Sequence, residues 1–391
     1  MREADLSLFT EETLTQGWNR ARIYEQQMRL AVARADERVA QGEKPQPIAK
    51  IGFLVHRRTC AMHFMTTWQH LPKDSFDIVL FDDGYEPDLF EFIAELGLSV
   101  AFCEDLANGL FQYVSGISHR DLPVCKRQGY SMVGDLTRLL SYGFSKSRAC
   151  PFNDTAAQFI VQGDEQVAQY RGDYPDTPQL VAGYARLDGL AACQADKEAI
   201  KAKYRLDPAK PVVVWMPTHS GPLTGAITLY SRALVAMTPH INILLKPHPE
   251  SFHEPPDCHY LRALVEDGNL RVIRDPDDEA EIFAIADIVL TDLGGTLFGA
   301  IYAGNDVVVT DVGRPDEISP LEREIWPHTP ILTTDTIGEL VRLASDPGAF
   351  AAQRPVMDSL RQRLFAAGTE GQGGRLIAEM LQRRFAAAMG R

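Results

Sequence analysis

The stretch IVLTDLGGTLFGAIYA, residues 288–303, runs from a strand-like segment through a glycine-rich turn into a helix-like segment. Its first four residues, Ile288–Thr291, form a nearly continuous apolar run, which is typical of a strand buried on both faces of a parallel sheet. The residues after Thr296 then have a helical pattern. A strand that leads through a short turn into a helix is the basic unit of a doubly wound α/β sheet.

The same alternation recurs on both sides of this stretch. Further strand-like runs are Pro211–Met216, Ile241–Leu245, Leu270–Ile273, Val307–Thr310 and Ile331–Leu332, separated by helix-like segments at Leu229–Met237, Tyr260–Val265, Asp278–Ala286 and Thr336–Ala344. An earlier series has strand-like runs at Ile48–Val55, Phe76–Phe81, Leu98–Phe102, Ala157–Val161 and Leu180–Ala182, with helix-like segments at Cys60–Leu71 and Asp88–Leu96. The sequence thus predicts an α/β fold of two doubly wound, Rossmann-like domains that face a cleft, as in the GT-B type, with an N-terminal helix and a C-terminal helix.

The pattern divides the chain into four parts. Residues 1–47 form an N-terminal helical extension, with an amphipathic helix over residues 11–41. A Rossmann-like domain follows at 48–190 and a second one at 205–368, with a linker near Asp188–Asp207. Residues 369–391 are predicted to contain a C-terminal helix.

Composition narrows the class of protein. The chain has 391 residues, 45% of them hydrophobic, and a net charge of −14, which argues against disorder and against a broad basic face for nucleic acid. Its six cysteines contain no CxxC pair, so reduced structural thiols and a cytoplasmic location are expected. The N-terminus lacks the apolar core of a signal peptide, and no apolar run reaches the roughly 18 residues of a membrane span. Any membrane contact is therefore expected to be peripheral.

Polar turns follow three strands of the second series. Because the carboxyl ends of parallel strands lie at one edge of a sheet, these turns are predicted to form a phosphate or nucleotide pocket together. Taken singly, each turn also fits a plain surface or packing role. The candidate binding residues are Thr218, His219 and Ser220 after the first strand, Lys246 after the second, and Thr291, Asp292, Gly294, Gly295 and Thr296 after the fourth.

Two of these turns have features suited to an anion. Prolines on both sides of His248 fix the backbone, and the imidazole beside Lys246 suits recognition or protonation of a phosphate oxygen. Gly294 and Gly295 allow close approach of the backbone, and Thr296 can cap the helix whose first amides form an anion site. His248 is therefore the first candidate catalytic residue.

At these residues the sequence resembles the CDP-glycerol glycerophosphotransferases of teichoic acid and capsule synthesis. The resemblance covers roughly residues 155 to 312 and rests on Pro217-Thr218, Lys246-Pro247-His248-Pro249, the acidic segment Asp275–Ala286, Thr291-Asp292 and the GYARLD segment Gly183 to Asp188. It implies transfer of a phosphopolyol from a CDP-linked donor to a hydroxyl of a cell-envelope polysaccharide or its lipid-linked precursor. The second domain would hold the nucleotide and the first the acceptor, with no metal and no cofactor.

The sequence departs from the family at two places. Family members commonly have Asp-Tyr-Ser-Ser where this chain has Asp292-Leu293-Gly294-Gly295, so glycine amides replace side-chain hydroxyls. The family's Trp-His-Gly-Thr turn is not found, and the segment in its place, residues 126–131, lacks histidine. His56, which follows the first strand, is the substitute base, with Arg57 and Arg58 on the acceptor side. The alternative for His56 is a solvated basic turn. His63 is expected to lie along the next helix, and His119 is a weaker candidate.

Three other functions remain open. The segment 291–317 also resembles the UDP-N-acetylglucosamine 2-epimerases, but that family has glutamates just after its Gly-Gly turn, where this chain has Leu297-Phe298-Gly299. A nucleotide-sugar glycosyltransferase and a non-catalytic relic of the fold are the other two.

Asp275, Asp277 and Asp278 have spacing that binds divalent cations in other transferases, but a helix cap explains them more simply. No Walker loop or GxGxxG turn is present.

Overall fold

The computed structural model describes residues 11–80, 88–118, 130–140, 144, 156–220, 225–252, 255–266, 270–273, 279–346 and 348–391. The chain divides into two compact units. The first, called the N-terminal unit, consists mainly of residues 15–188 and 364–391, and the second, the C-terminal unit, mainly of residues 189–363. The terminal segment that the sequence set apart at 369–391 thus belongs to the N-terminal unit.

Strands and helices alternate along most of the described chain. The strands are β1 Gln46–Val55, β2 Phe76–Leu80, β3 Val100–Phe102, β4 Phe111–Ser118, β5 Val133–Leu139, β6 Gln158–Val161, β7 Gln179–Val181, β8 Val212–Met216, β9 Asn242–Leu245, β10 Arg271–Val272, β11 Ile288–Thr291, β12 Asp306–Thr310 and β13 Ile331–Leu332. The helices are α1 Glu11–Ala40, α2 Arg58–Ala61, α3 Met65–Trp68, α4 Asp88–Glu95, α5 Cys103–Gly109, α6 Asp164–Asp173, α7 Leu190–Ala195, α8 Lys197–Lys203, α9 Ala226–Met237, α10 Asp257–Glu266, α11 Glu279–Ile285, α12 Gly295–Ala303, α13 Pro320–Ile325, α14 Glu339–Ser345, α15 Gln353–Leu364 and α16 Gly373–Ala388.

The N-terminal unit is built on a seven-stranded parallel sheet in the order β3-β2-β1-β4-β5-β6-β7. Helix α1 packs on one face of this sheet through Met28, Ala31, Val32 and Ala35. The other face carries an aromatic cluster, in which the ring of Phe53 lies 5.3–5.8 Å from those of Phe64, Trp68 and Phe76, together with apolar residues of α16. The doubly wound arrangement predicted for this half of the chain is confirmed.

The GYARLD segment fastens α16 to this unit. Asp188 accepts hydrogen bonds from the amides of Gly373 and Gly374, 3.0 and 2.7 Å away, at the start of α16. Arg186 contacts His63, with 3.0 Å between Nη1 and Nε2. Gly183 has φ +70°, and a Cβ there would lie 2.1 Å from Oγ1 of Thr369, so the position requires glycine. The observed contacts of this motif are therefore structural.

The C-terminal unit is built on a six-stranded parallel sheet in the order β10-β9-β8-β11-β12-β13. Its strands are fully buried at their centre, where Trp215 is the largest enclosed side chain. The direction in which strands are added reverses between β8 and β11, which are paired in register from Ile288 opposite Val213 to Thr291 opposite Met216. This reversal is the switch point at which doubly wound sheets bind ligands, just beyond the carboxyl ends of the strands.

One local prediction is wrong, and the structure adds detail to a second. The single helix expected over residues 60–71 is two short helices, α2 and α3, separated by a turn that contains His63. The linker predicted near 188–207 begins where the two units divide, between Asp188 and Gly189, and it contains α7 and α8, which pack against α11 and bury Leu190 and Ile200.

Candidate functional site

The three polar turns of the second series lie side by side at the carboxyl edge of the C-terminal sheet. They follow β9, β8 and β11, which are neighbours in that order. Lys246 is only 7% exposed and its amide donates to the carbonyl of Trp215, 2.8 Å away. Thr291 donates its hydroxyl to the carbonyl of Met216, 3.2 Å away, so the ends of β8 and β11 are also joined by a side chain.

His248 and His219 are in contact at this edge. Their ring centroids are 4.8 Å apart. Nδ1 of His248 accepts a hydrogen bond from the amide of Glu250 at 3.2 Å, which assigns the proton of the neutral imidazole to Nε2. His248 can therefore donate a hydrogen bond through Nε2–H.

Asp292 ties the turn after β8 to the turn after β11. Its Oδ1 accepts the amide of Thr218 at 2.9 Å and that of Leu293 at 2.6 Å, and its Oδ2 accepts the hydroxyl of Thr218 at 3.0 Å. Burial raises the pKa of Asp292 to about 6, although these hydrogen bonds and the charge of Arg314 oppose the rise. The carboxylate that the sequence assigned to phosphate binding thus holds two turns together.

The start of α12 differs from the prediction. Gly294, not Thr296, occupies the N-cap position, and Thr296 lies inside the first turn of the helix. The amide of Gly294 donates to Oε1 of the buried Glu322 at 2.7 Å, so the structure pairs it with a carboxylate instead of leaving it for a phosphate. The amides of Gly295 and Thr296, which as first helical residues have no intrahelical acceptor, are the predicted anion donors that remain.

Arg314 is a site residue that the sequence reasoning missed. It follows β12, its side chain is largely buried, and Nη2 donates to the carbonyl of Ser220 at 3.0 Å. Its Nη1 lies 3.5 Å from the carboxylate of Glu317. The signal in the sequence is the Arg-Pro pair at 314–315, which lies in the segment 291–317 that resembles the epimerases.

The candidates of the N-terminal unit lie at the carboxyl end of β1. His56 is only 5% exposed, and its Nε2 is 3.7 Å from Sγ of Cys60, so the alternative of a solvated turn is wrong for this residue. Arg57 is the N-cap of α2, and the guanidinium of Arg58 lies 4.4 Å from the ring centre of Phe92. His119, residues 126–129 and the acidic residues 275–278 lie outside the described residues.

Comparison with known families supports the motif resemblance. Residues 166–299, about a third of the chain, match the family described as CDP-Glycerol:Poly(glycerophosphate) glycerophosphotransferase. The resemblance seen in the sequence is confirmed. No curated protein matches the sequence significantly.

Solved structures show the fold over nearly the whole chain. A histidine-to-asparagine variant of the wall teichoic acid polymerase TagF soaked with CDPG is 14% identical, with a TM-score of 0.65, over 97% of this chain and 99% of that chain. Another TagF structure has the same identity and a TM-score of 0.62, over 96% and 99% of the two chains. A UDP-GlcNAc 2-epimerase from Neisseria meningitidis, bound to UDP-GlcNAc, is 12% identical with a TM-score of 0.53, over 85% and 100%. These likenesses confirm the GT-B fold class.

The described residues also bear on the predictions for the cysteines, for membrane-spanning helices and for metal ligands. The four cysteines in the described residues are free thiols. No described helix is long and apolar enough to cross a bilayer. Within the described ranges, no three His, Cys, Asp or Glu side chains are grouped to hold a metal ion.

Proposed function

We propose that this chain transfers a glycerophosphate-like group from a CDP-linked donor to a hydroxyl of a cell-envelope polysaccharide or its lipid-linked precursor. The observation that carries the proposal is the grouping of Lys246, His219 and His248 at the switch point of the C-terminal sheet. This grouping lies within residues 166–299, the segment that matches the glycerophosphotransferase family.

The reaction would break the bond between the β-phosphorus and the bridging oxygen of the donor. The acceptor hydroxyl forms a new bond to that phosphorus and loses its proton to a base, and CMP leaves with the bridging oxygen. Negative charge grows on CMP as it departs, so cations and hydrogen-bond donors near that oxygen lower the barrier. Lys246 and Arg314 supply positive charge, and His248 supplies a hydrogen bond from Nε2–H. The chemistry assigned to these groups requires no metal.

The acceptor half of the proposal concerns the N-terminal unit. His56 is the proposed base, and Arg57 and Arg58 are the proposed partners of an anionic acceptor such as a phosphate-containing polymer. The support is their place directly after β1, at the switch point of that sheet. We propose that any membrane contact made through a lipid-linked acceptor is peripheral.

The start of α12 argues against epimerisation. Leu297 and Phe298 are buried, and a Cβ at Gly299 would lie 2.7 Å from the ring of Phe283. Residues 297–299 of α12 thus pack in the core, and none of them carries a carboxylate that could act on a sugar carbon. Epimerisation of UDP-GlcNAc by the purified chain would favour this alternative.

Replacing His248 tests the proposed chemistry. His248→Ala should lower kcat for CMP release from CDP-glycerol by ~100-fold or more, because the lost group acts on charge that develops in the transition state. The Kd for CDP should change by less than about threefold, since ground-state binding uses the neighbouring groups. The matched control is His240→Ala, an exposed histidine beyond the amino end of β9, which should leave kcat unchanged. Equal turnover in His248→Ala and the parent at saturating donor would exclude this role.

A further inference from the structure

A buried carboxylate lies between the turns that carry the two histidines. Asp257, the first residue of α10, is 1% exposed. Its Oδ2 accepts the amide of Ser220 at 2.9 Å and the hydroxyl of Ser251 at 2.9 Å, and its Oδ1 accepts the hydroxyl of Ser220. Asp257 thus joins the turn after β8 to the segment after β9.

The surrounding residues are arranged to permit this contact. A buried carboxylate is tolerated when its oxygens are hydrogen-bonded, and here three donors converge on one side chain. A Cβ at Gly225 would lie 2.1 Å from Oγ of Ser220, so the absence of a side chain leaves room for that hydroxyl. Arg314 holds the same residue from its other end, through the Ser220 carbonyl.

Both serines are close in sequence to the histidines of the proposed site. Ser220 directly follows His219. Ser251 is bonded back to His248, because its amide donates to the His248 carbonyl at 2.9 Å. A single carboxylate therefore fixes the backbone on which each ring is mounted, and the rings lie 4.8 Å apart.

We infer that Asp257 is a positioning residue, which holds His219 and His248 at the geometry that donor chemistry requires. The expected effect on turnover rests on the proposed function, but the geometry of the two rings can be tested without measuring turnover. Small displacements of a positioned catalytic group cost large factors in rate, because the reacting atoms leave the productive arrangement.

Two substitutions of Asp257 separate geometry from charge. In Asp257→Asn, the amide oxygen can accept from the Ser220 amide and the Ser251 hydroxyl, while its NH2 donates to Oγ of Ser220 after that hydroxyl rotates. In Asp257→Ala, all three bonds are lost and the Ser220 amide is left without this acceptor. We therefore expect Asp257→Asn to keep kcat within about threefold of the parent and Asp257→Ala to lower kcat by ~30-fold or more.

The control is Asp287→Ala. Asp287 accepts the amide of Val212 at 2.8 Å, so it also anchors β8, but at the amino end of the strand. The readout of geometry is the nuclear Overhauser effect between the ring protons of His219 and His248 in histidine-labelled protein. It should be present in the parent, Asp257→Asn and Asp287→Ala, and absent or strongly weakened in Asp257→Ala.

The outcomes of these experiments distinguish the positioning role of Asp257 from the proposed transferase function. An unchanged ring-to-ring effect in Asp257→Ala, or its loss in Asp287→Ala as well, overturns the positioning role. The positioning role is also overturned if Asp257→Ala loses the nuclear Overhauser effect between the two rings but keeps the kcat of the parent. A parent without transferase activity defeats the proposed function, while the ring-to-ring effect still decides whether Asp257 sets the geometry. Should Asp257→Ala fail to fold, the double variant Ser220→Ala and Ser251→Ala removes two of the three donors and is held to the same criteria.

Discussion

Buried carboxylates hold the turns of the C-terminal unit in place. Asp292, Asp257 and Glu322 each accept at least one backbone amide from a turn near the carboxyl edge of the sheet. The sequence identified Asp292 as a site residue but assigned it to phosphate. Its contact with Thr218 could not be predicted, because the two residues are 74 positions apart and meet only through the pairing of β8 with β11.

The raised pKa of Asp292 predicts a specific pH dependence of stability. The value is about 6 in the folded protein against an ordinary 3.8, so folding favours the protonated form. The resulting stability is fully present below about pH 4 and is lost as the pH rises through about 6. Asp292→Asn keeps an acceptor for the two amides but cannot ionise. The free energy of unfolding of the parent should therefore fall relative to the variant by on the order of 3 kcal/mol between about pH 4 and pH 7.

Urea unfolding of both proteins across this range measures the effect. The relevant quantity is the difference between parent and variant at each pH, since other groups contribute equally to both. A difference that stays constant, or that changes in the parent's favour as the pH rises, would show that Asp292 is not the buried acid described above.

At the scale of elements, the strands missed by sequence reasoning are β4, which pairs with β1 at the centre of the N-terminal sheet, and β5, which pairs with β4. Their segments, FQYVSGIS and VGDLTRL, lack the continuous apolar pattern expected of a buried strand. The reason lies in packing across strands. A Cβ on Gly116 would lie 2.3 Å from a side-chain carbon of Val133, and one on Gly52 would lie 2.9 Å from the ring of Tyr113. Small residues are therefore required where a neighbouring side chain lies over the strand, which a single segment does not reveal.

The strands of the C-terminal sheet could be predicted because both of their faces are buried. Their sequences are therefore nearly continuous apolar runs. The pattern at Ile288–Thr291 matches β11 at both ends, and Pro211–Met216 differs from β8 by one residue. The candidate turns followed from these ends, so most of the proposed site could be found from the sequence. Asp257 could not, because its role depends on a contact with Ser220 that only the folded sheet brings about, whereas Arg314 carried a signal in its Arg-Pro pair but its contact with Ser220 could not be predicted.

The two ends of α12 provide a matched test of the glycine-rich turn. Gly294 has φ +89° and ψ −157°, a region that essentially only glycine occupies, and Gly304 at the other end has φ +76° and ψ 25°. Gly294→Ala should cost ~1–3 kcal/mol of stability and weaken CDP binding by ~10-fold or more, because the first amides of the helix move. Gly304→Ala should cost ~1–2 kcal/mol and leave the Kd for CDP unchanged.

Chemical unfolding and calorimetric titration with CDP measure these two quantities. If the two variants bound CDP equally well, the start of α12 would have no part in nucleotide binding. If both lost binding equally, the effect would be one of stability alone.

Helix α1 provides a test of membrane contact. Ala35 is fully buried against the N-terminal sheet, whereas Leu30 on the same helix is 50% exposed. Ala35→Glu should lower stability by several kcal/mol, roughly the cost of burying an unpaired charge, whereas Leu30→Glu should change it by less than about 0.5 kcal/mol. Neither the parent nor Leu30→Glu should sediment with phosphatidylglycerol vesicles, because the apolar side chains of α1 at Met28, Ala31, Val32 and Ala35 are already used in packing. Sedimentation of the parent that Leu30→Glu abolishes would instead identify α1 as a membrane anchor.

At the scale of the whole molecule, the same fold class contains both transferases and epimerases, so the fold alone does not assign the reaction. The assignment depends on which groups lie at the carboxyl edge of the C-terminal sheet. Here they are two histidines, a buried lysine and an arginine, with apolar residues in the first turns of α12. This combination suits departure of a nucleotide from a phosphorus centre, whereas the described carboxylates at this edge, Asp292, Asp257 and Glu322, each accept a backbone amide.

The most direct test of this account is to incubate the purified chain, in the presence of EDTA, with CDP-glycerol and a glycerol phosphate polymer, and in parallel with UDP-GlcNAc. We expect CMP to form from CDP-glycerol in equal amount to the glycerophosphate added to the polymer, with no loss of rate on chelation and no epimerisation of UDP-GlcNAc. Failure to release CMP from CDP-glycerol, with conversion of UDP-GlcNAc to its 2-epimer, would contradict it.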